Sequence, residues 1–116
     1  MEYVTLKNSD LKVSRLCMGG CPLGGYGWGN TQETELIEAV QAAVDEEINF
    51  FDTADTYGLG QSEIILGKAL GNYRKDVIIA SKFGVRVEAW AVPAGIWNAR
   101  RGATATRATS STSTAA

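Results

Sequence analysis

Three side chains in this 116-residue chain have the types and spacing for shared acid–base chemistry: Asp52, Tyr57 and Lys82. A phenol ordinarily gives up its proton only near pH ~10, too high for easy exchange at neutral pH. A neighbouring ammonium favours the phenolate, and a carboxylate can hold that ammonium in place. Together such groups make a tunable general acid, able to protonate a carbonyl oxygen while hydride reaches its carbon. The residues taken alone leave a second reading open. An Asp and a Lys at strand ends can be a solvated ion pair, and a loop Tyr can be a packing residue.

For the three to meet, the intervening elements must bring them to one place. Residues 3–16 read as a hairpin: Tyr3–Leu6 and Lys12–Leu16 alternate apolar and polar, with turn chemistry at Asn8, Ser9 and Asp10. A further strand is expected through Leu16, Cys17 and Met18, followed by a glycine-rich loop from Gly19 to Gly29. Residues 32–47 carry helical periodicity, with Leu36, Val40, Ala43 and Val44 on one face and Ile37 at its edge. Asn30 or Thr31 would cap that helix. Ile48–Phe51 reads as a short buried strand ending at Asp52. Ser62–Leu70 reads as a second helix, which Gly71 would terminate. Val77–Ser81 reads as a third strand ending near Lys82.

Strands separated by single helices imply parallel pairing with right-handed crossovers. Nearly continuous apolar strands agree, because parallel strands are covered on both faces. One strand–helix–strand unit separates Asp52 from Lys82, so both fall at the same sheet edge, with Tyr57 in the loop leaving Asp52. The carboxyl ends of parallel strands are where such folds build their sites.

Composition narrows the function classes. The hydrophobic fraction of 45% is that of a globular protein. Residues 1–88 hold 8 basic and 13 acidic residues, a net of -5, and the remainder adds Arg100, Arg101 and Arg107. An acidic body argues against nucleic acid as the principal partner. Cys17 and Cys21 are too few for a disulfide framework, so they read as reduced thiols in a cytoplasmic protein, Cys17 as a core residue. With no His in the chain, a metal site is not expected. The start has no signal-peptide pattern, and no apolar run approaches the ~18 residues of a membrane span. The Gly19–Gly29 loop matches neither phosphate-cradling motif and reads as a loop over the sheet edge. Tyr26 and Trp28 in it are candidates for a substrate wall or a simple cover.

Particular runs carry a family resemblance. Phe51-Asp52-Thr53-Ala54-Asp55-Thr56-Tyr57-Gly58, then Ser62-Glu63 and Leu66-Gly67-Lys68-Ala69-Leu70, resembles the signature after the second barrel strand of aldo-keto reductases. Ala80-Ser81-Lys82-Phe83-Gly84 is similar to the family's third-strand end, and Leu16-Cys17-Met18-Gly19-Gly20 to its first. The likeness covers roughly residues 3–85. It implies the first part of a (β/α)8 barrel, namely the N-terminal hairpin and three of the barrel strands. It also implies NADP(H) as cofactor, bound without a Rossmann domain, and reduction of small-molecule aldehydes or ketones to alcohols. On the matching positions it implies Tyr57 as proton donor and Lys82 as its ammonium partner. Asp52 would orient Lys82 beside the nicotinamide ribose, and Gly20 and Cys21 would touch the nicotinamide end.

The chain departs from the family in two ways. The family's fourth catalytic residue is a His on the fourth strand, and this chain has none. A whole barrel takes ~250 residues, and its phosphate contacts come from the last strands and loops. A chain of this length is therefore also readable as a non-catalytic piece or a nicotinamide-binding regulatory module. Residues 1–88 are expected to be barrel sequence and residues 89–116 a low-complexity, disordered tail. Residues 100–116 hold five Ala, five Thr, three Ser, three Arg and one Gly, with nothing to build a core. The loss of every acid after Glu88 suggests barrel sequence continuing in another reading frame shortly after Val85.

Overall fold

A computed structural model describes residues 1–85. The expected tail and its reading frame lie outside the described residues. The described residues run through seven regular elements: β1 (Tyr3–Thr5), β2 (Lys12–Ser14), β3 (Met18–Gly19), α1 (Glu33–Asp45), β4 (Phe50–Asp52), α2 (Gln61–Leu70) and β5 (Ile78–Ala80). Two 3-10 segments, Cys21–Gly24 and Gly71–Asp76, fill connections. The architecture is α/β. β1 and β2 form an antiparallel hairpin, and β3-β4-β5 form a parallel sheet whose strands are joined by α1 and α2. Among the described residues the sheet is open and β5 has β4 as its one strand partner.

Register decides which side chains share a face. Met18 pairs with Phe51 and Phe51 with Ile79, while Gly19 pairs with Asp52 and Asp52 with Ala80. Alternation along each strand then sends Met18, Phe51 and Ile79 to one face and Gly19, Asp52 and Ala80 to the other. The first face carries the core. Phe51 packs there with Leu23, Val40, Ile65, Leu66, Ala69, Leu70 and Val77, with Met18, Leu36, Ile37, Ala43, Val44 and Ile79 at the periphery. The i, i+4 pairs Ile65/Ala69 and Leu66/Leu70 supply the inner stripe of α2, and Val40 that of α1.

Several local details differ from the sequence reading. Gln32, not Asn30 or Thr31, caps α1. Starting the helix at Glu33 puts Glu35 at the third position, where its Oε2 accepts from the Gln32 N–H at 3.4 Å. The first barrel-type strand begins at Met18 rather than Leu16. The glycine-rich stretch is not wholly loop, for the Cys21–Gly24 turn buries Leu23 in the core. Cys17 is exposed, not a core residue. It precedes Met18 by one residue and so points away from the helices, on the side of Gly19 and Asp52.

The hairpin closes the opposite end of the sheet. The Ser14 N–H donates to Asn49 Oδ1 at 2.7 Å, Asn49 Nδ2 donates to the Lys12 carbonyl at 3.1 Å, and the Tyr3 hydroxyl donates to the Glu47 carbonyl at 2.8 Å. These bonds anchor the amino ends of the strands and leave the carboxyl ends as the free rim.

Candidate active site

The rim is assembled by backbone first. The Gly20 N–H donates to the Asp52 carbonyl at 2.6 Å, and the Thr53 N–H donates to the Ala80 carbonyl at 2.8 Å. Each bond continues the parallel ladder one step past the regular strand, so the three strand ends stay in contact where the side chains diverge. A Cβ on Gly20 would fall 2.5 Å from the Asp52 carbonyl oxygen and 2.9 Å from Ser62 Oγ, so only glycine permits this approach. The glycine-rich segment also presses on the loop that carries Tyr57. A Cβ on Gly24 would lie 2.6 Å from the Gly58 nitrogen and 2.7 Å from the Tyr57 carbonyl carbon.

On this rim Asp52, Lys82 and Tyr57 come together. Lys82 Nζ donates to Asp52 Oδ1 at 2.6 Å and to the Thr53 carbonyl at 3.1 Å. The same ammonium lies 5.0 Å from the centroid of the Tyr57 ring, within cation–π range. Asp52 is 34% exposed and Lys82 52%, so the pair faces outward. The hydrogen bond to Asp52 holds the Lys82 ammonium above its ordinary pKa of 10.5; desolvation opposes the rise and the Tyr57 side chain adds to it. Lys82 is accordingly a cation across the physiological range.

Gly20 is buried beneath this group and Cys21 is exposed beside it. Cys17 also lies within the field of the pair. Partial shielding of its sulfur pushes the thiol pKa up, Asp52 adds to the rise and Lys82 opposes it, which keeps the thiol protonated. Tyr26 and Trp28 are exposed at the outer end of the glycine-rich loop. A groove of about 300 Å³ lined by Thr53, Glu63, Leu66, Gly67, Arg74, Ile79 and Ser81 lies on the helix side of β5. It shares no lining residue with the Asp52–Tyr57–Lys82 group.

Three contributors are not apparent as site residues in the sequence reading. Cys17 could have been found by alternation, since it precedes Gly19 by two residues as Phe50 precedes Asp52. Thr53 and Ser62 carry no such signal, because each is a small hydroxyl residue whose partners lie on other elements.

The rim therefore belongs to a parallel α/β scaffold that gathers a carboxylate, an ammonium and a phenol at its strand ends. A sequence model of the Aldo/keto reductase family matches residues 15–113, and the chain belongs to that family. It is 44% identical over 84 residues to the aldo-keto reductase YhdN of Bacillus subtilis, covering 71% of this chain and 25% of the relative. The holo form of an aldo-keto reductase from Bacillus halodurans superimposes with a TM-score of 0.67 at 39% identity, covering 76% of this chain and 28% of that one. A glycerol dehydrogenase of Gluconobacter oxydans gives a TM-score of 0.60 at 34% identity, covering 72% and 26% respectively. These structural neighbours are barrels of the family, and among the described residues this chain's barrel is not closed. The chain spans about a quarter of the length of the relatives it matches.

Proposed function

We propose that residues 1–85 form the proton-donating wall of an NADPH-dependent carbonyl reductase, the first three strands of a (β/α)8 barrel acting on small aldehydes or ketones. The observation that carries this reading is the single ammonium of Lys82, 2.6 Å from Asp52 Oδ1 and 5.0 Å from the Tyr57 ring centroid. In this reading the substrate carbonyl oxygen sits at the Tyr57 hydroxyl and takes its proton. The Lys82 charge lies where phenolate charge develops as the proton leaves, and Asp52 keeps that charge in place.

The donor set suits a nicotinamide nucleotide. Asp52 Oδ1 is committed to Lys82, and the side chain remains one-third exposed, so the carboxylate could also accept from a ribose hydroxyl. Gly20 and Cys21 stand at the neighbouring strand end, where a flat ring could approach the backbone. A bound nicotinamide would supply the hydride. Exposed free thiols at Cys17 and Cys21 support a reducing, cytoplasmic setting.

The absence of His from the chain favours a second reading for the chain by itself, a nicotinamide-binding piece without turnover. One experiment addresses both. Residues 1–85 replace the matching segment of the Bacillus subtilis relative, and NADPH-dependent reduction of 4-nitrobenzaldehyde is measured for the chimera and for the chain alone. The chimera is expected to turn over and the chain alone is not. Tyr57→Phe is expected to lower kcat in the chimera by roughly 10²-fold or more, the scale of a lost general acid. A folded chimera whose activity is unchanged by Tyr57→Phe would remove Tyr57 from the mechanism.

A further inference from the structure

Two buried hydroxyls beneath the rim are unused by the proposed reaction. Ser62 is 0% exposed and Thr53 2%. Ser62 Oγ donates to the Gly20 carbonyl at 2.7 Å, which spends its only proton. The 2.9 Å contact between Thr53 Oγ1 and Ser62 Oγ must then be Thr53 donating to Ser62. The chain of bonds runs one way, from Thr53 through Ser62 to Gly20.

These residues reach every part of the rim. The Ser62 N–H donates to the Tyr57 carbonyl at 3.2 Å, the Thr53 carbonyl accepts Lys82 Nζ at 3.1 Å, and the Thr53 N–H holds Ala80. The neighbour of Ser62, Glu63, accepts from Ser81 Oγ at 2.9 Å, next to Lys82. Ser62 lies in the first turn of α2 and makes no cap bond to its own helix. Its hydroxyl instead ties the helix start to two strand ends. In a dry setting a fully satisfied hydroxyl pair favours one arrangement of its surroundings strongly, since the alternatives strand a buried polar group.

We propose that Ser62 and Thr53 are positioning residues whose directed hydroxyl chain fixes the strand-end geometry at which Lys82 meets Asp52 beside Tyr57. This rests on reading those three as the reacting group, but its test uses no turnover and so stands or falls separately from the reductase reading. The sharpest variants are at Thr53. Thr53→Val keeps the shape and removes the hydroxyl, whereas Thr53→Ser keeps the hydroxyl and removes the methyl. A residue that only packs tolerates Val better than Ser, while a residue that positions does the reverse.

The readout is the titration of Lys82 in the intact chain, followed by carbon-13 NMR of the Cε signals of isotope-labelled, chemically unmodified lysines. The Lys82 signal is assigned by its loss in Lys82→Arg, and fold is monitored by circular dichroism. Thr53→Val and Ser62→Ala are expected to move the Lys82 titration downward, part of the way to its value in Asp52→Asn. Thr53→Ser is expected to titrate like the parent chain. A folded Thr53→Val or Ser62→Ala with an unchanged Lys82 titration would overturn the proposal. So would loss of fold in both hydroxyl-deletion variants, which would assign the pair a purely structural role.

Discussion

On the helix side of the sheet, Phe51 packs with Leu66, Leu70 and Val40 in a buried layer, with Ile79 at its half-buried edge. On the opposite side of the same strands stand Cys17, Gly19, Asp52 and Ala80, all wholly or partly open to solvent. The backbone is shared, and the difference lies in which elements among the described residues cover each face: α1 and α2 cover the first. The covered face derives its free energy from apolar area removed from water. The other face, which in a closed barrel would look into the interior, carries the charged and hydrogen-bonding groups of the rim among the described residues. Stability and chemistry are thereby separated by strand alternation, and substitutions on the two faces should separate in the same way.

The largest expected effect is on the covered face. Phe51→Ala should cost about 3–5 kcal/mol, the usual range for emptying a buried aromatic site. For a small domain near the ~5 kcal/mol lower bound of native stability that is enough to abolish folding. Far-UV circular dichroism checks this, and a cooperative unfolding transition retained near that of the parent would show the helix-side layer is not the stabilising one.

An intermediate effect is expected at the rim and it depends on pH. The folded-state pKa of Lys82 is raised above 10.5 by Asp52. A raised pKa means the pair's contribution is fully present below 10.5 and is lost as pH climbs through the higher folded value. The stability gap between the parent and Asp52→Asn, measured by urea titration, should therefore be constant at neutral and mildly alkaline pH and shrink above 10.5. A gap that instead closes on mild acidification from neutral pH would assign the contribution to some other group.

The smallest effect belongs to a pair that looks identical by distance. Lys68 Nζ and Glu33 Oε1 are 2.6 Å apart, as are Lys82 Nζ and Asp52 Oδ1. Yet the former joins the outer surfaces of α1 and α2, with about half of each side chain in solvent. Glu33→Gln should change stability by less than about 1 kcal/mol, with no change in the Lys82 titration. A larger loss would mean that the α1–α2 seam depends on charge rather than on its apolar stripe.

Much of this organisation was legible from the chain alone, and for identifiable reasons. The helical stripes of α1 and α2 and the order of strands follow from periodicity, which reports burial directly. Asp52 and Lys82 followed from a topological argument that needs only strand ends. What escaped were features set by contacts distant in sequence. The cap at Gln32 depended on where the first helical residue fell. The burial of Leu23 depended on α2 lying over the Cys21–Gly24 turn. The exposure of Cys17 depended on β3 starting later than the apolar run suggested. The Thr53–Ser62–Gly20 bonds join residues up to 42 positions apart and leave no local pattern.

Asp52, Lys82 and Tyr57 are proposed to act as one group. The most direct measurement is a double-mutant cycle on kcat in the chimera, with Tyr57→Phe, Lys82→Met and both together. Residues that act as a unit are strongly non-additive, because losing either disables the other. The double variant should therefore be about as slow as the slower single variant. Losses that multiply, so that the double variant falls by the product of the two single effects, would show that Lys82 and Tyr57 work independently and would contradict the account.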